Sequence, residues 1–182
     1  MNETALIVSV PAAESLVADL RARFDPSAAE GVPAHVTVAV PFLTRAELGP
    51  TGFARLEAAL RQTPAFDFVL ERVGRFERTA WLAPEPAAPF VAMTRALMRA
   101  FPGWQPYDGA HDRIVPHLTA ADGDADTAEA VARELAARLA RRGPVRARCE
   151  AVELLENRGP DSQWRWRCVH RIVLPLAAAP AA

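Results

Sequence analysis

The sequence contains no lysine, and all 21 of its basic residues are arginine. This absence excludes a lysine nucleophile, a Schiff-base lysine and the lysine of a phosphate-binding P-loop. Cysteine is scarce as well, since Cys149 and Cys168 are the only two and no CxxC spacing occurs. A redox motif or a zinc knuckle is therefore not expected, and both cysteines are interpreted as small core residues.

Charge of one sign and long apolar runs are also missing. The formal net charge is -1, so the molecule as a whole is not expected to attract nucleic acid or an anionic membrane over long distances. The apolar stretch at residues 5–10 is short and is followed at once by an amphipathic pattern, unlike a signal peptide. We expect a cytoplasmic monomer that does not contact a membrane.

What is present indicates one globular domain over residues 1–182. Hydrophobic residues make up 51% of the chain, and a chain of this length buries roughly two thirds of its unfolded surface. No disulfide or metal ion is needed to stabilise a core of that size.

Apolar periodicity predicts strands and helices in alternation. In the first part, strands are predicted at 6–10, at 35–40 and around Phe66, Phe68 and Leu70, and the intervening helices bury Leu16, Leu20, Phe24, Phe53, Leu56 and Leu60. In the second part, strands are predicted at 79–83, 117–121, 147–155 and 164–174, and the helices bury Phe90, Met93, Leu97, Phe101, Val131, Leu135 and Leu139. Asp126 and Glu129 resemble a helix capping box.

The order strand, helix, strand, helix, strand therefore occurs twice, with halves at about 1–77 and 78–182 that can exchange strands. A duplicated unit with pseudo-two-fold symmetry would bring equivalent strands of the two halves face to face. The loops at 84–89 and 102–112 are interpreted as rim segments, and His111 as a loop residue.

Two short stretches match each other in the middle of these halves. One is His35-Val36-Thr37 and the other is His117-Leu118-Thr119, each preceded by a nearby proline. Residues two apart on a strand share one face, so each histidine can reach the same ligand as its threonine. In either stretch alone, the histidine would more often be a packed residue of an apolar strand than a functional one. Two copies at equivalent places of an internal repeat favour one shared site.

Two histidines and two hydroxyls around one site suit phosphodiester cleavage by general acid and base catalysis. An imidazole titrates near pH 6.5, so one ring can accept a proton while the other donates one. The hydroxyls can donate hydrogen bonds to the phosphate oxygens. Metal-dependent hydrolysis is disfavoured, because no HExxH occurs and no carboxylate lies within two positions of His35 or His117.

On these residues the chain resembles the 2H phosphoesterase superfamily, which includes 2'-5' RNA ligase-like proteins and cyclic nucleotide phosphodiesterases. The resemblance covers essentially the whole chain, and residues 74–76, 81–86 and 106–109 are similar to the bacterial 2'-5' RNA ligase-like branch. It implies a bilobal α+β fold in which antiparallel-rich sheets line a central cleft and the helices lie outside.

The resemblance also implies an activity, namely hydrolysis of 2',3'-cyclic phosphates or 2'-5' linkages in nucleotides or RNA ends, with neither metal nor cofactor. The catalytic residues would be His35, Thr37, His117 and Thr119. His117 would activate the nucleophile and His35 would protonate the leaving oxygen. The alternative function is a catalytically silent module of the same fold that binds nucleotides or RNA. The substrate itself is left open.

Further substrate contacts are predicted around these four residues. Tyr107 could contact a base or a phosphate, and Phe76 with Trp81 could form a nucleobase platform, although all three are also explicable as packing aromatics.

In the last strand, alternation assigns the arginines to one face and the remaining residues to the other. An arginine face turned to the cleft would hold phosphates, and a solvated face is the alternative. These residues are Arg165, Arg167 and Arg171 on the first face, and Trp164, Trp166, Cys168, His170 and Ile172 on the second.

Overall fold

The computed structural model of the protein describes residues 3–110, 113–157 and 165–177. Its strands are β1 (Glu3–Ser9), β2 (His35–Ala39), β3 (Phe66–Arg75), β4 (Thr79–Glu85), β5 (Leu118–Asp122), β6 (Val145–Cys149), β7 (Ala151–Asn157) and β8 (Trp166–Val173). Its α-helices are α1 (Glu14–Phe24), α2 (Pro26–Ala29), α3 (Arg45–Leu60), α4 (Ala88–Ala100) and α5 (Ala125–Arg142). Short 3-10 helices occupy Pro11–Ala13 and Pro106–Gly109.

The strands form one antiparallel sheet in the order β6-β3-β4-β5-β2-β1-β7-β8. The α+β class and the antiparallel character predicted from the sequence are confirmed. At the centre of the sheet, β2 and β5 are joined through the pair Val36 and Leu118. β3 lies beyond this junction, between β4 and β6. The pseudo-two-fold duplication and the halves at 1–77 and 78–182 stay predictions.

The hydrophobic core lies on one face of this sheet, under the helices. Val8, Val36, Leu118 and Leu82 form a row across β1, β2, β5 and β4, and each is at most 1% exposed. The helices pack onto this face with apolar residues spaced three or four apart. Those residues include Leu16, Val17 and Leu20 of α1, Leu56 and Leu60 of α3, Phe90, Met93 and Leu97 of α4, and Val131 and Leu135 of α5. Since side chains alternate along a strand, the other face is left for the histidine motifs.

Most predicted elements are confirmed, but the region from 147 to 155 is not one strand. Glu150 interrupts it, and β6 and β7 lie toward opposite ends of the sheet, beside β3 and β1 respectively. Apolar alternation runs through the break and so hides it. The α5 cap is also different: Asp124 accepts a hydrogen bond from the Thr127 backbone N–H at 2.7 Å, so Asp124 and not Asp126 is the N-cap.

The last strand contains a β-bulge that changes which side chains share a face. Leu155 pairs with Cys168 while Leu154 pairs with His170, so Val169 is the extra residue. Arg171, opposite Glu153, is consequently on the face of Cys168, whereas Arg167, opposite Glu156, is on the face of His170. The predicted single arginine face is therefore wrong.

Cys149 is buried as expected but Cys168 is exposed, and Trp164 and His111 lie outside the described residues.

None of the helices in the described part of the chain combines the length and the hydrophobicity that a membrane crossing requires.

A buried ion pair anchors the segment that leads into β2. The Arg21 guanidinium bonds the Asp25 carboxylate at 2.9 Å, and the two side chains are only 3% and 5% exposed. Arg21 also donates to the Val32 carbonyl oxygen at 3.0 Å, while the Glu14 carboxylate accepts from the Ala34 backbone N–H at 2.7 Å. Helix α1 thus holds residues 32–34 from both sides of Pro33.

Replacing Arg21 by methionine should destabilise the protein by about 3 to 5 kcal/mol, because it leaves the Asp25 carboxylate buried without its partner. Urea denaturation measures this change. The matched control is Arg95→Met on the exposed side of α4, which should change the free energy of unfolding by less than about 0.5 kcal/mol. Equal effects of the two substitutions would contradict the anchoring role of Arg21.

Candidate active site

The two motifs meet at the centre of the sheet, on the face opposite the core. Because Val36 pairs with Leu118 in antiparallel register, His35 lies across from Thr119 and Thr37 lies across from His117. All four side chains are partly exposed, whereas Val36 and Leu118 are buried on the reverse face. The structure therefore brings together the four motif residues in two facing pairs, each of one histidine and one threonine.

Both imidazoles make the same hydrogen bond. His35 Nδ1 lies 2.8 Å from the carbonyl oxygen of Pro33, and His117 Nδ1 lies 2.7 Å from that of Val115. A carbonyl oxygen only accepts, so Nδ1 carries the proton in each ring. In the neutral form, Nε2 is then the acceptor on both histidines. Each motif thus presents one basic nitrogen away from its own strand.

The surroundings of the two histidines differ. Burial lowers the pKa of His35 to about 4, and the nearby charges of Arg21 and His117 act in the same direction. The hydrogen bond to Pro33 and the Asp25 carboxylate oppose this shift. His35 is therefore neutral at pH 7. His117 instead faces an open pocket of about 770 Å³.

Aromatic side chains surround His117. The ring centroids of Phe76 and Trp81 lie 5.2 and 5.8 Å from the His117 ring, and Phe76 meets it edge to face. Trp81 packs closely over Gly74, where a Cβ atom would stand 2.2 Å from the indole. Only glycine leaves room for this contact. Phe76 is 40% exposed toward the pocket, so it offers a free ring surface while Trp81 supports it.

Tyr107 reaches the same pocket from the loop before the second motif. Its backbone N–H donates to the Val40 carbonyl oxygen at 2.7 Å, directly after β2. Tyr107 and Asp108 both have left-handed backbone angles, with φ of 52° and 51°, a conformation that costs of order 1 kcal/mol in non-glycine residues. Burial raises the pKa of the Tyr107 phenol, so its hydroxyl remains a donor at neutral pH. Phe76 and Trp81 thus lie beside His117, and Tyr107 lines the same pocket, while their role as substrate contacts stays a prediction.

The arginines predicted in the last strand are not beside the motifs. β8 is separated from β2 by β7 and β1. Glu153 is on the motif face, and Glu156, three residues further along β7, is therefore on the core face. Arg167 pairs with Glu156, so it lies on the core face as well. Arg167 is therefore not a cleft residue, which corrects the prediction. Arg165 is exposed just before β8, and its role stays a prediction. Arg78 and Arg113 line the pocket instead.

Two residues that sequence reasoning missed lie on the motif face. Ser9 of β1 pairs with His35, and its hydroxyl donates to the Glu153 carboxylate of β7 at 2.7 Å. Polar residues inside the apolar stretches 6–10 and 151–155 were the available signal. Within the described ranges, no three histidine, cysteine, aspartate or glutamate side chains converge as metal ligands would.

Comparison with known proteins gives both a sequence match and structural matches. The family model of the 2'-5' RNA ligase superfamily matches residues 8–161. No curated protein sequence matches the chain. TT0787 of Thermus thermophilus is similar in structure, with a TM-score of 0.61 and 18% identity over 96% of this chain and 98% of that one.

E. coli LigT is similar as well. Its complex with NADP+ has a TM-score of 0.59 at 18% identity, over 96% of this chain and 98% of LigT. Its complex with 3'-AMP has a TM-score of 0.58 at 18% identity, over 95% and 98% of the two chains. At this identity the structural similarity shows a common fold.

The His35 ring should remain neutral until the pH falls to about 4, with its proton on Nδ1. In the unfolded chain it should titrate near 6.5. The unfolded state then binds the proton first, so the free energy of unfolding should decrease as the pH falls from about 6.5 to about 4. A ¹⁵N NMR titration of the ring nitrogens measures both the pKa and the tautomer, and His35→Gln identifies the signal. A pKa near 6.5 in the folded protein would refute the effect of burial.

Proposed function

Because the chain belongs to the 2'-5' RNA ligase superfamily of 2H phosphoesterases, we propose that it is a metal-independent phosphodiesterase. Its substrates would be 2',3'-cyclic phosphates or 2'-5' phosphodiester bonds in nucleotides and RNA ends. The observation that carries the proposal is the pair of facing histidine and threonine residues across β2 and β5. The E. coli LigT complexes contain NADP+, 3'-AMP and ATP, which supports nucleotides as the ligand class.

In the proposed reaction, a phosphate sits between the two imidazoles. Nε2 of one histidine takes a proton from water while the water oxygen bonds to phosphorus. The bond from phosphorus to the leaving oxygen breaks, and Nε2 of the other histidine gives that oxygen its proton. Thr37 and Thr119 donate hydrogen bonds to the non-bridging oxygens, where charge redistributes in the transition state. Solvent then resets both protonation states.

The environments of the histidines support a division of roles opposite to the one expected from the resemblance. A base must be unprotonated at working pH, and burial keeps His35 in that form. His117 lies at the open pocket, where the nucleoside part of a substrate has room. We therefore assign His35 as the base that activates water and His117 as the acid that protonates the leaving oxygen.

The pocket beside His117 would hold the nucleoside. Phe76 offers a partly exposed ring for stacking on a base, a contact worth about 1 to 3 kcal/mol, and Trp81 keeps that ring in place. The Tyr107 hydroxyl can donate to a sugar or phosphate oxygen.

Activity on a nucleoside 2',3'-cyclic phosphate should persist in EDTA. His35→Ala and His117→Ala should each lower kcat by about 10² to 10⁴-fold, since each removes one proton transfer. The matched control is His170→Ala, because His170 lies on the opposite face and bonds Glu57 of α3 at 3.0 Å. Steady-state hydrolysis measures all three variants. Full activity in His35→Ala or His117→Ala would refute the mechanism. Binding of the cyclic phosphate without turnover would favour the catalytically silent binding module.

The division of roles can be tested with a leaving group that needs no proton. On methyl 4-nitrophenyl phosphate, which has a bulky group on only one bridging oxygen, the acid becomes dispensable while the base still has to activate water. We expect His117→Ala to lose much less activity on this ester than on the cyclic phosphate, whereas His35→Ala should lose about 10²-fold or more on both. The ratio of kcat/KM values for the two substrates is the measurement. The reverse pattern would exchange the assigned roles.

A further inference from the structure

We propose that the cleft is closed on one side of the reacting phosphate, so that the protein acts on terminal 2',3'-cyclic phosphates and excludes 2'-5' linkages between two nucleosides. This inference rests on the proposed function and decides between its two substrate classes.

The closed side is formed by β1 and the apolar residues packed on it. Ile7 pairs with Thr37 on the motif face, yet it is only 1% exposed. A small cluster, separate from the main core, covers it, and we call this cluster the apolar wall. It consists of Ala5, Ile7, Val32 and Leu155, with Val40 and Trp166 packed against them. A ligand group that extended past Thr37 toward β1 would meet filled space.

The apolar wall is held by polar contacts at two points. Trp166 Nε1 donates to the Glu30 carboxylate at 2.8 Å, and the Trp166 backbone N–H donates to the Glu30 carbonyl oxygen at 3.0 Å. The Val32 carbonyl oxygen accepts from buried Arg21 at 3.0 Å. Moving the wall aside would break these bonds and uncover apolar surface, so it cannot yield to a ligand without a cost in free energy.

The opposite side is open. The pocket of about 770 Å³ is lined by His117, Phe76, Tyr107 and Arg113, among other residues. Its volume lies within the range of small-molecule sites. The environment of His35 agrees with this asymmetry, because burial is the main cause of its lowered pKa. Water can reach a histidine on the closed side, and among the described residues the space past Thr37 on that side is occupied by the apolar wall.

The chemistry of the two substrate classes differs in the space that it needs. In a 2'-5' linkage the phosphate carries one nucleoside on each bridging oxygen, so both sides of the phosphate must be open. In a 2',3'-cyclic phosphate both bridging oxygens belong to one ribose, and the attacking group is water. Attack breaks one of these two phosphorus–oxygen bonds, and the released ribose oxygen takes a proton from His117. The product is a phosphomonoester, and it requires only the open side.

The test compares kcat/KM for adenosine 2',3'-cyclic phosphate with that for the 2'-5' linked adenosine dinucleotide. We expect the cyclic phosphate to be favoured by at least about 100-fold, since a misplaced reacting group costs about that much. Trp166→Ala and Val32→Ala should each lower this preference for the cyclic phosphate by about tenfold or more, because kcat/KM for the dinucleotide rises. Met98→Ala, a truncation of an exposed side chain on α4, should leave the ratio unchanged.

Each outcome bears on a different claim. Comparable hydrolysis of both substrates by the unaltered protein would overturn the closed cleft and leave the proposed phosphodiesterase intact. A strong preference that neither wall variant relaxes would show that the apolar wall is not its cause. Hydrolysis of neither substrate, with His35→Ala as the blank, would refute the proposed function and this inference with it. Circular dichroism of Val32→Ala and Trp166→Ala establishes that both variants are folded.

Discussion

The antiparallel pairing of β2 with β5 is the constraint on which the rest of the site depends. It consists of the single pair Val36 and Leu118, and both residues are completely buried in the core. Burying these two side chains turns their neighbours to the other face, because strand residues alternate. A slip of one residue would send the histidines into the core. The same packing that closes the core therefore sets the facing pairs of the site.

Around this junction the two motifs are alike in backbone and unlike in environment. Each histidine donates Nδ1–H to the carbonyl oxygen two residues before it, which gives both rings the same tautomer. Helix α1 clamps the segment before His35 through Glu14 and Arg21, and burial then lowers the pKa of that ring. The segment before His117 borders an open pocket. Two nearly identical sequence motifs thus acquire different proposed roles from what packs against them.

The elements that the sequence predicted well are those with a strong local pattern, such as the helices around Leu16, Phe90 and Val131. The errors arose where the pattern carries no signal. Alternation continues through Glu150, so β6 and β7 read as one strand although they lie toward opposite ends of the sheet. The bulge at Val169 reverses the faces of the residues after it, and an extra residue in a ladder cannot be recognised without its partner strand. That is why the predicted arginine face did not form.

By itself the sequence determined the alternation of strands and helices and the two matching motifs, because strand alternation and residue chemistry are local properties. The resemblance that these motifs carry implied the α+β class, and the roles of the four motif residues and of Phe76, Trp81 and Tyr107 stay predictions. Only the tertiary structure decided the order of the strands, the register that faces His35 with Thr119, and the missed residues Ser9 and Glu153. It also decided which side of the cleft is filled. These features depend on contacts between segments far apart in the chain, and burial, pKa and free space are properties of those contacts.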